Sequence, residues 1–149
     1  MAVLGITDYF SIEGYRRVLQ HRERLKNIDL ILPNVELRLN TFVGKGARRV
    51  NHHVIFSDKV SLDDIDNHFF GNLHFQRAGH PRGGPSEWLL TQNNLELLGA
   101  KLKEEQPTFE GSPFSVGCTN ATVDPSEVQS VLAGKGEIFG VNPKNETPS

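Results

Sequence analysis

Three side chains of the kinds that bind metal ions or transfer protons stand out in the first third of the sequence: Asp8, Glu36 and His53. Asp8 follows an apolar run, residues 2–6, that is typical of a short buried strand and leads into a helix signal. Acidic residues at the carboxyl end of such a strand often contact ligands or metals in α/β proteins. They also accept hydrogen bonds from the free backbone amides at a helix start, and position alone favours neither role for Asp8.

Glu36 and His53 occupy the polar faces of two predicted strands. Glu36 shares its face with Arg38, and an exposed ion pair is the simpler interpretation, whereas a buried Glu36 would need a cation or a metal ion. His52 falls on the apolar face of its strand, so we predict a core histidine there. His53 falls on the polar face, where a neutral imidazole beside a carboxylate is ordinary metal-binding chemistry.

The remaining candidate residues give weaker signals. Cys118 lacks the surroundings of a nucleophile motif and is interpreted as a structural thiol. It is the only cysteine, so an internal disulfide is excluded. The other four histidines show no spacing typical of metal ligands: His21, His68, His74 and His80.

Composition and charge limit the class of protein. A chain of 149 residues with a net charge of −2 fits one domain, or part of a larger one, without a global affinity for nucleic acid or membranes. The sequence contains no signal peptide and no apolar run of membrane-spanning length. We therefore expect a cytoplasmic protein that does not engage a membrane.

The hydrophobic pattern predicts a mixed α/β domain that opens with a strand–helix–strand unit. An amphipathic helix over residues 11–26, with Ser11 as its N-cap, connects strands at residues 2–6 and 28–32. A connection of this kind implies parallel pairing and a right-handed crossover. The Pro33-Asn34 pair is expected to end the second strand.

Further elements follow from period-two alternation and from helix-capping signals. Strands are predicted at residues 35–43 and 49–57, with a turn at residues 44–46 between them. Helices are predicted at residues 61–68, after Thr91 and from Pro125, whereas residues 79–86 and 111–118 are expected to be irregular and the tail, residues 141–149, disordered.

Three segments together resemble the PHP (polymerase and histidinol phosphatase) phosphoesterase superfamily. Residues 3–14, VLGITDYFSIEG, are similar to a family strand that ends in Thr-Asp-His before a helix. Residues 32–38, LPNVELR, are similar to the Gly-x-Glu element, and residues 51–57, NHHVIFS, to a strand with a metal-binding histidine. More narrowly, these segments resemble the PHP modules at the N-terminus of large bacterial coiled-coil ATPases linked to DNA processing and phage defence.

The resemblance implies a fold, an activity and a site. The fold is a partial, distorted (β/α)7 barrel over residues 1–140, incomplete at both ends. The activity is metal-dependent hydrolysis of phosphoesters, with Zn, Mn or Fe as the cofactor and nucleic acid as one candidate substrate. Asp8, Glu36 and His53 would be the metal ligands, with Glu36 bridging, and Arg38 would bind phosphate. The implied partner is an ATPase domain or chain.

Departures from the family pattern lead us to expect weak activity, or none, from this chain alone. Tyr9 stands where the family has the histidine of Thr-Asp-His, and the His-x-His and late Asp-x-His motifs have no counterpart. We expect a fragment or truncated form of a phosphoesterase. One alternative is a degenerate module that binds or regulates a partner ATPase or nucleic acid, and another is an unrelated α/β domain. A partial barrel exposes strand edges and apolar surface, so we also expect self-association.

Overall fold

The computed structural model describes residues 1–43, 48–79 and 87–140. Three predictions lie outside these described residues: the turn at residues 44–46, all but the first residue of the loop at residues 79–86, and the disordered tail at residues 141–149. His80 lies outside them as well.

The chain opens with the predicted strand–helix–strand unit. Strand β1 (Val3–Tyr9) pairs in parallel with β2 (Leu30–Val43), and helix α1 (Glu13–Gln20) connects them. The helix is shorter than predicted, because a 3₁₀ turn at Arg22–Arg24 follows it. The parallel pairing inferred from the strand–helix–strand pattern is confirmed.

Pro33 does not end a strand. The predicted strands at residues 28–32 and 35–43 form one element, β2, and Pro33 lies inside it as a fully buried residue. The Pro33 carbonyl accepts a hydrogen bond from the Phe56 amide at 3.0 Å, so its nitrogen also points toward that side of the strand. Proline has no backbone N–H, so one hydrogen bond between β2 and β3 (Arg48–Ile55) is missing. The loss falls at the end of the ladder, because β3 has already ended there.

Strand β3 pairs with β2 in an antiparallel register, which gives a first sheet of order β1-β2-β3. A second sheet of order β5-β4-β6 is antiparallel throughout, with β4 at His74–Arg77, β5 at Trp88–Leu89 and β6 at Ala121–Thr122. The two sheets are joined along β2, beyond the C-terminal end of β1. There Val123 forms a bridge with Leu39, donates to the Arg38 carbonyl at 2.8 Å and accepts from the Asn40 amide at 2.7 Å.

Five further helices begin at capping residues or directly after another helix. Ser61, Thr91, Ser112 and Asp124 each accept a hydrogen bond from a backbone amide in the first turn of the helix that follows. The helices are α2 (Leu62–Asp64, continued by a π turn at Ile65–Phe69 and a 3₁₀ turn at Phe70–Asn72), α3 (Gln92–Glu105), α4 (Pro113–Asn120), α5 (Pro125–Gly134) and α6 (Gly136–Phe139). Helix α4 occupies part of the segment that was predicted to be irregular.

The predicted (β/α)7 barrel is wrong. The described residues form two small three-stranded sheets and six helices, and no barrel closes among them. The β/α repeat stops after one unit because four residues separate Val43 from Arg48. A connection between parallel strands needs about a dozen residues or more, so this short link forces β3 to run antiparallel to β2.

One hydrophobic core joins the sheets to the helices. The buried face of β2, from Val35 to Leu39, packs with Val54 and Phe56 of the β3 side against the aromatic side chains that follow α2. Helices α3 and α4 approach closely at two glycines. A Cβ on Gly99 would collide with the Pro113 carbonyl, and one on Gly117 with the Leu95 carbonyl. Among the described residues, no helix has the length and apolar character that crossing a membrane requires.

Candidate functional site

The face of the first sheet that points away from the core carries a row of polar side chains, which we call the polar face. Side chains alternate along a strand, so register partners share a face. Tyr9 of β1 is opposite Glu36 of β2, which is opposite His53 of β3. Asn34 and Arg38 lie two residues to either side of Glu36 and share its face. The sequence resemblance selected three of these five residues, Glu36, Arg38 and His53.

Glu36 and His53 form a direct cross-strand pair, and each is held by an asparagine. Asn51 donates its side-chain amide to Glu36 Oε1 at 2.6 Å. The Asn34 amide lies 3.1–3.2 Å from His53 Nδ1. Because Asn34 Nδ2 donates to Thr7 Oγ1 at 2.8 Å, we assign Asn34 Oδ1 as the acceptor of a proton on Nδ1. That tautomer leaves His53 Nε2 unprotonated and available as a ligand or a base.

Tyr9 and Arg38 contact each other on the polar face. The Arg38 guanidinium carbon lies 5.7 Å from the centre of the Tyr9 ring, and Nη1 donates to the Thr119 carbonyl at 2.6 Å. The Tyr9 hydroxyl is buried and has no hydrogen-bond partner among the described residues. Burial raises the pKa of this hydroxyl above its ordinary value, and the positive charge of Arg38 partly offsets the effect. Tyr9 is therefore protonated at neutral pH.

Asp8 is separated from this group. Its register partner is Val35, which is fully buried, so Asp8 points to the core face of the sheet. There its carboxylate accepts hydrogen bonds from the amides of Gly14 and Tyr15 at 3.1 and 3.0 Å. A Cβ on Gly14 would collide with this carboxylate, so glycine is required there for the contact. Asp8 thus caps α1, which is the structural role that the sequence left open.

The structure also bears on the predictions for His52 and Cys118. His52 is exposed and lines a surface groove beside α5, so the prediction of a core histidine is wrong. The reason is that β3 is an edge strand whose core-facing side is only partly covered. Cys118 is a buried free thiol, and burial raises its pKa to about 12. It remains protonated at neutral pH, in keeping with a structural thiol.

The polar face offers two groups that suit a divalent metal ion, the Glu36 carboxylate and the His53 imidazole. The asparagines behind them orient both ligands, as the outer contacts of a metal site commonly do. Within the part of the chain that the structure describes, no group of three or more His, Cys, Asp or Glu side chains could hold a metal. Water or another chain would have to supply the remaining ligands.

Sequence reasoning missed the asparagines. Asn34 precedes Glu36 by two residues, and Asn51 precedes His53 by the same interval. Period-two spacing therefore places each of them on the polar face beside a candidate ligand, a signal that was present in the pattern.

No protein-family model, curated protein or solved structure matches this chain. The resemblance to the PHP superfamily therefore stays a prediction from the sequence.

Proposed function

We propose that the polar face is part of a metal-dependent phosphoesterase site of the PHP type. The observation that carries the proposal is the cross-strand pair of Glu36 and His53, each with its own asparagine partner. Arg38, on the same face, supplies a positive charge for a phosphoryl oxygen. The chain's own residues thus combine two metal ligands with a phosphate-binding side chain.

A bound Zn, Mn or Fe ion would supply an activated water and neutralise charge on the phosphoryl group. Glu36 and His53 would hold that ion, and Asn51 and Asn34 would fix their orientation. Two protein ligands bind metal weakly compared with a complete set of three or four. We therefore propose slow hydrolysis, or none, by this chain without a partner that completes the site.

Metal binding is the direct test. Mn²⁺ added to ¹⁵N-labelled protein should broaden amide resonances near Glu36 and His53 first, because paramagnetic relaxation acts at short range. Glu36→Gln and His53→Ala should each raise the apparent Kd about tenfold or more. His52→Ala is the matched control, since His52 is the neighbouring histidine on the opposite face and should leave Mn²⁺ affinity unchanged. Broadening centred elsewhere, or indifferent to both variants, would contradict the proposal.

Hydrolysis is measured in parallel with bis-p-nitrophenyl phosphate and single-stranded DNA in the presence of Mn²⁺ or Zn²⁺. Turnover should be near the background rate, because this chain supplies only part of a ligand set. Robust turnover that disappears in Glu36→Ala would show that the site is complete and would overturn the expectation of weak activity.

A second candidate is a module that binds a partner ATPase or nucleic acid without hydrolysis. The observation in its favour is that Asp8 is engaged in capping α1 and that Tyr9 replaces the expected histidine. This alternative predicts that binding of a defined single-stranded oligonucleotide is the same in excess EDTA and in Mn²⁺. The phosphoesterase proposal predicts that the chelator weakens binding.

A further inference from the structure

A cavity of about 230 Å³ opens at the carboxyl end of β1, where Phe10 directly follows Tyr9 of the polar face. Phe10 adopts a left-handed backbone conformation with φ of 55°, which turns the chain away from the sheet at this point. Three phenylalanines from distant parts of the sequence line the cavity: Phe10 and Phe70, which are buried, and Phe114, which is half-buried. The volume of the cavity lies below the range of about 300–1,000 Å³ for drug-sized ligands and suits a single flat ring.

The charged groups that line the cavity are carboxylates. Glu13 and Asp66 both contribute to its wall, with exposed side-chain fractions of 51% and 42%. Arg16 pairs with both, through Nε at 3.0 Å from Glu13 and Nη2 at 2.6 Å from Asp66, but it does not itself line the cavity. One guanidinium shared by two carboxylates leaves one negative charge, so an anionic ligand is disfavoured.

Backbone amides in the first turns of α1 and α3, beside the cavity, do not offset this preference against anions. The amides of Gly14 and Tyr15 in the first turn of α1 already donate to Asp8. The Asn94 amide in the first turn of α3 donates to Thr91 Oγ1 at 3.1 Å. These three amide donors are thus bonded within the protein, whereas the carboxylates retain free acceptor capacity, since each carboxylate offers about four lone-pair sites.

We propose that this cavity binds a nucleobase that carries an exocyclic amino group, such as cytosine or adenine. Phe114, which is less buried than Phe10 and Phe70, would stack on the base, and Asp66 would accept a hydrogen bond from its amino group. Binding of the base is independent of the proposed function, since a nucleoside contains no phosphate and needs no metal.

Cytidine and uridine are the matched probes, because they differ mainly in the amino group on the ring. In ¹H–¹⁵N spectra without metal, cytidine should shift amide resonances around Phe70, Gly71 and Thr91 in a saturable manner, with an affinity about tenfold higher than that of uridine. Asp66→Asn should reduce cytidine binding to the level of uridine. Asp63→Asn, an exposed carboxylate of α2 outside the cavity, is the control and should leave binding unchanged.

Phe114→Leu is the second variant, which keeps an apolar side chain at this half-buried position but removes the ring, and it should weaken cytidine binding without unfolding the protein. Thermal unfolding of each variant verifies that it is folded. Three results would overturn the inference: no saturable shift with cytidine, equal affinity for cytidine and uridine, or shifts by the arginine analogue agmatine in the absence of shifts by cytidine. Mn²⁺ broadening at Glu36 and His53 is measured separately, so failure of the base site and failure of the metal site give different results.

Discussion

Asp8 and Glu36 are carboxylates on neighbouring strands, one register position apart, and that offset sends them to opposite faces of the sheet. Asp8 is opposite Val35 on the core side, whereas Glu36 is opposite Tyr9 and His53 on the polar side. A sequence shows that each residue lies on a strand, but the register between strands depends on tertiary pairing. The sequence could therefore propose Asp8 as a ligand beside Glu36 without being able to place it there.

Asp8 should matter for stability and not for metal binding. Asp8→Ala removes the acceptor of the Gly14 and Tyr15 amides and should lower the free energy of unfolding by about 1–2 kcal/mol. Its Mn²⁺ affinity should equal that of the unmodified protein. Urea denaturation followed by circular dichroism measures the first effect, with Glu104→Ala, an exposed carboxylate on α3, as the control that stays within about 0.5 kcal/mol. Loss of Mn²⁺ affinity with unchanged stability would contradict the capping role.

Two helices begin at a capping residue that is followed directly by proline, so the two sites share one sequence pattern. Asp124-Pro125 was recognised as the start of α5, and the structure confirms it. Ser112-Pro113 has the same pattern and starts α4, in a segment that was predicted to be irregular. Gly117 lets α4 approach α3, so tertiary packing outweighs the low helix propensity of this glycine.

The contact between α3 and α4 should be the most sensitive helix packing in the described residues. Gly99→Ala and Gly117→Ala each place a Cβ against the backbone of the other helix and should destabilise the protein by about 1–3 kcal/mol. Gly134→Ala is the matched control, because that glycine lies in α5 with open space around a Cβ and should be neutral or slightly stabilising. Differential scanning calorimetry of the three variants makes the comparison. Equal melting temperatures would show that the helices separate at no cost.

For the molecule as a whole, local sequence signals were sufficient to predict the β1–α1–β2 unit but not the overall architecture. The strand–helix–strand pattern lies within about thirty consecutive residues, and its connection length dictates parallel pairing. The barrel depended on repeating that unit, which the short link before β3 prevents. The second sheet could not be predicted, because β5 and β6 have two residues each and pair with β4 over long sequence separations.

The open sheet that replaces the barrel leads to a prediction about association. Strand β1 lies at the edge of the first sheet, and its sequence, VLGITDY, lacks the Lys and Pro residues that commonly protect edge strands. Two apolar side chains on the same face as Glu36 are exposed, Val3 by 49% and Ile55 by 62%. Strand β1 carries Val3, so an unprotected edge beside this exposed apolar side chain favours pairing with a second copy, which would extend the sheet and cover Val3.

We expect light scattering with size-exclusion chromatography to detect a monomer–dimer equilibrium whose dimer fraction rises with concentration. Val3→Lys should raise the dissociation constant about tenfold or more, because the dimer would bury a charge in place of an apolar side chain. Ile55→Lys should have a smaller effect, since Ile55 lies on β3, at the opposite edge of the sheet. Leu97→Lys is the control, since Leu97 is 58% exposed on α3, away from this face, and should not change the equilibrium. A monomer at every concentration would mean that the edge of β1 is protected in solution, and equal effects of all three variants would place the contact elsewhere.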